Sequence, residues 1–393
     1  MNPEFLKPRY DRGGFAGIPD RIREAFASGN YDAVVLFLVD GFGWRFFERF
    51  HEAPFLKRIA KNGTIEKLIS QFPSTTAAHL TTIHSGLPVG ASGIYEWYLY
   101  EPALDRIIAP LLFSYSGTRE RDTLKAANVD PSVIFPRGTF YPELKQMGVA
   151  PYVFGVRDYT PSTFSRAVMA GAELLRFTTL PEALINLGLL LEKRDKPTYI
   201  HLYFDKIDTI SHDYGPGALQ TEAEIEAFLL VMERYFDWVF RGKRVLFLMT
   251  ADHGQVDVDP KTTIYLNTDR RFRGVERFLK SNRAGQLLVP AGSARDMFLH
   301  VRDELLEEAQ AFFARRLEGK ADVIKVDSLM EAGYFGSEIS PRFRGRVGNL
   351  VLLPYAYESI WWYEKDRFEQ RFYGHHGGLT QQEMETVLYT HEA

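Results

Sequence analysis

The sequence predicts an α/β fold built on a largely parallel sheet. Apolar, β-branched runs at Ala33 to Val39, Thr198 to Phe204 and Val245 to Thr250 read as buried strands. Helical text lies between them, and alternation of strands with helices is the signature of parallel βα units. The third observation is that each run ends in a polar cluster: Asp40-Gly41, then Asp205, Asp208 and His212, then Asp252-His253-Gly254.

Taken in chain order, Ala33 to Val39 is the first buried strand. Pro151 to Val156 is a weaker strand candidate. Pro181 to Lys193 is apolar on one face. Leu219 to Phe240 is a long amphipathic stretch, acidic near its start, where the helix dipole favours negative charge. From about Phe278 to Ser340 the text changes character, with a charged helix at Val301 to Leu317 and a short strand at Val323 to Val326. Apolar strand text returns at Asn349 to Leu353. The expected organisation is a main domain over 1–265 and 345–393, interrupted by a small α+β insertion, or cap, over 266–344.

Composition narrows the function classes. The chain has 393 residues, 45% hydrophobic and 25% charged, as soluble globular chains do. With Lys plus Arg at 47 and Asp plus Glu at 51, the net charge is -4, so no polycation for nucleic acid is present. There are no cysteines, which excludes thiolate nucleophiles and Cys-ligated metals. Lys7, Arg9 and Arg12 are not followed by an apolar segment of the kind a secretory signal carries. The longest apolar runs are about six or seven residues, too short to span a bilayer. A soluble, cytoplasmic protein is expected.

In open α/β sheets, ligands bind beyond the carboxyl ends of the strands. If the three strong strands are parallel, their polar clusters converge on one sheet edge. Asp and His without Cys suit a divalent metal with nitrogen and oxygen ligands. Asp208 and His212 are four residues apart, so on one helical turn they point the same way. Gly374-His375-His376-Gly377-Gly378 offers a further histidine in a loop whose glycines permit close approach. Each signal alone has an ordinary explanation: a turn after a strand, a surface hydrogen bond, a flexible loop. His51, His201, His300 and His391 are assigned structural or solvated roles. Ser74, Thr75 or Thr76 fits a plain N-cap before an apolar helix. The same hydroxyl, in the positive field of a helix N-terminus where a phosphate would bind, also suits a nucleophile.

Together these segments resemble the alkaline phosphatase superfamily, in its type I phosphodiesterase/nucleotide pyrophosphatase branch. The resemblance rests on Val39-Asp40-Gly41, on Phe72-Pro73-Ser74-Thr75-Thr76 running to Ser85-Gly86-Leu87-Pro88, on Asp208-x3-His212-x-Tyr214-Gly215-Pro216, on Thr250-Ala251-Asp252-His253-Gly254, and on His376-Gly377-Gly378. It covers residues 30 to 255 and 345 to 380. It implies a three-layer alkaline-phosphatase-like sandwich. It also implies two divalent metal ions, Zn²⁺ first and Mn²⁺ second. One ion would be held by Asp208, His212 and His376, the other by Asp40, Asp252 and His253. Thr76 is the implied nucleophile, bridging toward the second ion, with Thr75 as the fallback. Asp205 is the alternative to Asp208, and His375 is the neighbour of the implied ligand.

The implied activity is hydrolysis of a small, nucleotide-like phosphodiester or pyrophosphate through a phosphothreonine intermediate, with no nucleic-acid polymer and no membrane as partner. Alternatives are a phosphomonoesterase, a phosphonate hydrolase, or a non-catalytic binding protein of this fold. A monoesterase would call on extra cations, for which Lys206 and Arg157 are candidates. Phe42, Trp44, Tyr95, Trp97, Tyr98 and Tyr100 are aromatics that either stack on a base or pack beneath the insertion.

Overall fold

The structure, a computed structural model, describes residues 1–392. Its strands, in chain order, include β1 (Ala33–Val39), β2 (Gly63–Ile69), β3 (Ala150–Val156), β4 (Glu173–Phe177), β5 (Thr198–Phe204) and β6 (Val245–Thr250), followed by β7 (Met297–Leu299), β8 (Ala321–Lys325), β9 (Leu350–Pro354) and β10 (Glu385–Glu392). The main helices are α1 (Ile18–Ala27), α2 (Pro54–Asn62), α3 (Thr76–Ser85), α4 (Leu180–Lys193), α5 (Lys206–Tyr214), α6 (Leu219–Phe240) and α7 (Leu306–Arg316).

Seven strands form the central sheet in the order β2-β10-β6-β1-β5-β3-β4. Only β10 runs against the others, pairing antiparallel with both β2 and β6. β1 is buried along its whole length because it has a neighbour on each side and a helical layer on each face. Its side chains alternate between the two layers. Val34, Leu36 and Leu38 join a core with α1 and α3. Ala33, Val35, Phe37 and Val39 join another with α2, α4 and α6. This is the three-layer α/β sandwich that the resemblance implies, built on the largely parallel sheet that the strand pattern predicts. The three strong strand candidates are its three central strands.

A second, three-stranded antiparallel sheet has the order β7-β9-β8. Phe298, Val351 and Leu353 rest on the main core. Met297, Leu299, Leu350 and Leu352 face α7 through a third core that includes Ala309, Phe313 and Leu317. The strand text returning near residue 349 therefore lies in this small sheet and not in the parallel one. β9 is buried on both faces, as a central parallel strand would be, and periodicity cannot separate the two cases.

Two buried ion pairs tie the small sheet to the main body. Arg295 bonds Glu383 through Nε and Nη2, both at 2.9 Å, and donates to the carbonyls of Pro354 and Tyr355. Arg346 bonds Glu101 and the carbonyls of Gly93 and Ile134. No helix among the described residues is long and apolar enough to cross a membrane.

Candidate active site

The carboxyl ends of β5, β1 and β6 lie flush, since Val39 pairs with Phe204 and Leu38 with Thr250. The residues that follow therefore meet at one edge. Asp40 follows β1 directly, Asp252 and His253 lie just past β6, and Asp208 and His212 sit on α5 after β5. His376 arrives from the loop before β10, anchored where the Ser74 hydroxyl donates to the Gly378 carbonyl at 2.9 Å.

Two groups of donor atoms result. Asp208, His212 and His376 each place one ligand atom within 4.8 Å of the others, and so do Asp40, Asp208 and His253. Asp208 belongs to both. His212 Nε2 is 3.3 Å from Asp208 Oδ2, and His376 Nε2 is 3.8 Å from Asp208 Oδ1. His253 Nε2 lies 3.4 Å from Asp40 Oδ1 and 3.3 Å from Asp252 Oδ2.

The three imidazoles share one orientation. Each Nδ1 faces a backbone carbonyl: His212 that of Gly374 at 2.8 Å, His376 that of Ser74 at 2.9 Å, His253 that of Gly254 at 3.1 Å. An Nδ1–H donated to a carbonyl leaves the Nε2 lone pair aimed into the site, the tautomer that ligates metal.

The charge balance asks for a cation. Three carboxylates are buried together, and among the described residues they have ion-pair contacts only with histidines. Asp252 Oδ2 is buried without a hydrogen-bond partner. Burial, together with the charges of Asp252 and Asp208, pushes Asp40 well above the usual carboxylate range. Burial and the Asp208 charge push Asp252 up to about 7. Burial also raises Asp208, yet the charge and hydrogen bond of His212 outweigh it and hold Asp208 low. Burial pulls His376 down to about 4, and burial with the nearby His376 lowers His253 further, so both rings are neutral donors. Mixed imidazole and carboxylate donors around an orphaned oxygen fit a divalent ion.

Among the hydroxyls, Thr76 stands in the site. It is the first residue of α3, and its Oγ1 is 3.2 Å from His253 Nε2 and 3.5 Å from both Asp40 oxygens. Thr75 is the N-cap residue and is buried, with its hydroxyl donating to the Tyr95 carbonyl at 3.3 Å. Asp205 points elsewhere, accepting from the Tyr159 hydroxyl at 2.9 Å and pairing with Lys206 at 3.2 Å. His375 bonds the His376 backbone through Nδ1 and stays outside both donor groups.

Two supporting residues escaped the sequence reading. The Tyr203 hydroxyl donates to Asp40 Oδ2, and the Gln255 amide donates to both the side chain and the carbonyl of Asp208. Tyr203 sits next to the end of β5 and Gln255 two residues past His253, so the signal available was position at a strand end.

A cavity of about 600 Å³ opens from Thr76, Asp208, His212 and His376. Of the six aromatics singled out in the sequence, Trp97 and Tyr98 line it. Phe42 is core, packed on Phe46 and Phe228, and Trp44 packs on Phe47. Tyr95 is buried against Phe298 and Phe343, and Tyr100 packs on His300. Lys206 and Arg157 do not line the cavity. Lys206 pairs with Asp205 and Arg157 with Glu182.

This sandwich, with its donors at the sheet's carboxyl edge, is the architecture of the alkaline phosphatase superfamily. Within it, the chain belongs to the type I phosphodiesterase / nucleotide pyrophosphatase family, whose model matches residues 34–379. Among curated relatives, venom phosphodiesterase 2 of Crotalus adamanteus is 24% identical over 266 residues, covering 63% of this chain and 29% of that protein. The venom phosphodiesterase of Naja atra is 24% identical over 275 residues, covering 65% and 30%. The chain thus spans less than a third of the length of these relatives. Among solved structures, murine ectonucleotide pyrophosphatase/phosphodiesterase 5 superposes with a TM-score of 0.64 at 17% identity, covering 91% of this chain and 87% of that one. Phosphonoacetate hydrolase from Sinorhizobium meliloti gives 0.63 at 16%, covering 91% and 89%. These two likenesses show the fold.

Proposed function

We propose that this protein is a metal-dependent phosphodiesterase/nucleotide pyrophosphatase that works through Thr76. The observation that carries the reading is the Thr76 hydroxyl, held at the start of α3 within 3.5 Å of Asp40 and His253 and facing the second donor group at Asp208. Asp208, His212 and His376 would hold one divalent ion, and Asp40, Asp252 and His253 the other, with Asp208 within reach of the second group as well. Zn²⁺ is the first choice for this donor set, with Mn²⁺ tested beside it. Two such ions supply Lewis-acid stabilisation of the attacking and departing oxygens of an in-line displacement.

The chain's own residues do the rest. Asp40 and His253 orient the Thr76 hydroxyl, and an Asp40 carboxylate oxygen, 3.5 Å away, accepts its proton. The Oγ–phosphorus bond forms as the bond to the departing oxygen breaks, and that oxygen keeps the electron pair. Water then cleaves the phosphothreonine, restoring the hydroxyl and releasing the phosphoryl product. Tyr203 fixes Asp40 and Gln255 fixes Asp208, so the donors need not reorganise during reaction. The segment 266–344, with the strand that completes its sheet, is the small insertion, and it gives Gly292 to Ala294 to the cavity wall.

The substrate is a small nucleotide-like diester. An inactive variant of the murine neighbour is described in complex with AMP, and the aromatic cavity wall here suits a planar group. Lys206 and Arg157, the cations named for a monoesterase, do not line the cavity, whose cations are Arg119, Arg367 and Arg371.

The test compares bis-p-nitrophenyl phosphate, p-nitrophenyl phosphate and phosphonoacetate as substrates of the purified protein, with Zn²⁺, Mn²⁺ or EDTA. Metal-dependent turnover of the diester above the other two is expected. Preference for the monoester or the phosphonate would move the protein to another activity of the superfamily. No turnover with metal bound would favour a binding role.

A further inference from the structure

A second acidic cluster stands in the cavity wall, beside the loop that carries His376. Glu96 and Ser293 line the cavity, and the Ser293 hydroxyl donates to Asp296 Oδ1 at 2.6 Å. Glu96 precedes the short strand Leu99–Glu101, whereas Ser293 and Asp296 form the turn just before β7. The two segments converge on Gly377. A Cβ there would lie 2.6 Å from Ser293 Oγ and 3.0 Å from both Asp296 Oδ1 and Glu96 Oε1. Three side-chain oxygens thus gather around one point, over a backbone position that carries no side chain.

The charge of this cluster is uncompensated. Glu96 and Asp296 are both 0% exposed, and neither makes an ion pair among the described residues. Arg295, next to Asp296 in sequence, is spent on Glu383. Glu96 Oε2 accepts from the Trp97 amide, and Asp296 Oδ1 from the Ser293 amide at 3.1 Å. The other oxygen of each, Glu96 Oε1 and Asp296 Oδ2, is buried with no hydrogen-bond partner. Burial pushes Glu96 up to about 7, and burial with the Glu96 charge raises Asp296 well above the usual carboxylate range. Buried carboxylates stay ionised only when they are paired or bound to a metal.

The donors here are all oxygen, two carboxylates and a hydroxyl, with no imidazole among them. Hard divalent ions take such sets, whereas the histidine-bearing groups suit Zn²⁺. We infer that Glu96, Asp296 and Ser293 form a third cation site, one for Ca²⁺ or Mg²⁺, entered from the cavity. An ion there would fasten the insertion, through Ser293 and Asp296, to Glu96 of the main body beside the His376 loop. The site does not depend on which ester the protein hydrolyses. One proton shared by the two carboxyls is the competing way to relieve their repulsion, and it predicts a different ion count.

The test loads the full chain with Zn²⁺, removes the excess, and titrates it by calorimetry with Ca²⁺ and, separately, with Mg²⁺. The wild-type protein is expected to bind one further ion per chain, with its zinc content unchanged by elemental analysis. Its Tm should rise with the concentration of the added ion, because the ion binds the folded state. Glu96→Gln and Asp296→Asn each keep the shape of the side chain and remove one charge. Each should weaken binding of the further ion by at least about tenfold and abolish most of the Tm rise, while zinc content stays at the wild-type value. If either variant fails to fold, the other and the wild-type ion count still decide. Zinc-loaded wild type that binds neither Ca²⁺ nor Mg²⁺ overturns the inference in favour of a shared proton. Affinity unchanged in both variants overturns it as well, since the further ion then sits elsewhere.

Discussion

The imidazole rings of His253 and His376 lie face to face, with centroids 3.6 Å apart and planes tilted by 11°. One ring belongs to each donor group, and their Nε2 atoms diverge toward Asp40 and Asp252 on one side and Asp208 on the other. Stacking holds the two groups at one spacing without a shared hydrogen bond.

Asp208 is the one carboxylate common to both groups, so its loss should be felt at both. Asp208→Asn is expected to bind fewer ions than His212→Ala, which leaves Asp40, Asp252 and His253 intact. Metal content after dialysis, measured by elemental analysis, checks this without any activity assay. Equal stoichiometry in the two variants would mean that Asp208 serves one ion only.

Thr76→Ala removes the hydroxyl while leaving every carboxylate and imidazole donor in place. Turnover should fall by about 10³-fold or more, because no neighbouring hydroxyl has the geometry to replace it. Thr75 is committed to the Tyr95 carbonyl. Metal content and Tm should stay near wild type. Trapping a phosphorylated residue after brief exposure to substrate, and mapping it, separates Thr76 from Thr75 directly.

Gly377 stands at φ +127°, where L side chains are strained, and a Cβ there would lie 2.6 Å from Ser293 Oγ. Gly377→Ala must therefore push the loop that carries His376. A loss of activity with a folded protein is expected, together with weaker metal binding at the Asp208–His212 group. Wild-type metal affinity in this variant would show that the loop yields elsewhere.

The Arg295–Glu383 pair sets a pH limit on stability. Burial alone would raise the Glu383 pKa. Arg295, the Thr380 hydroxyl and the Gly378 amide outweigh it and hold the pKa below its ordinary 4.5. A depressed carboxylate stabilises the fold above its unfolded pKa, and that stability is lost as pH falls through the folded value. Tm should accordingly decline below about pH 4.5 in the wild type. Glu383→Gln should already cost about 3–5 kcal/mol at neutral pH, since it strands a buried guanidinium. Its Tm should change less on acidification over the same range. Parallel thermal melts from pH 7 to pH 3 compare the two.

The parts of this protein legible in the sequence are those whose signal is local. β1, β5 and β6 are unbroken apolar runs because each has a neighbour on both sides and a helical layer on each face. Their terminal Asp and His residues stand out against that background. β2 and β4 were missed because each is an edge strand whose exposed positions carry charge, as in Glu66, Lys67 and Arg176. The fate of β9 was not readable, since an apolar run does not say which sheet it joins. The aromatics divided in the same way. Phe42 and Trp97 are equally conspicuous in the text, but only tertiary packing buries the first and opens the second.

β10 supplies the only antiparallel strand of the central sheet, filling the place between β2 and β6, and the His376 loop comes just ahead of it. This order bears on how the protein is made. A nascent chain that has not yet released residues 374–392 from the ribosome already holds every other donor, yet β2 has no partner and β6 lacks one of its two neighbours. Such a chain cannot seat His376 against Asp208, so the site is completed by the same docking event that closes the sheet. The two donor groups are therefore complete together only after β10 docks, and the interval before that is when the exposed edges of β2 and β6 are open to pairing with another chain.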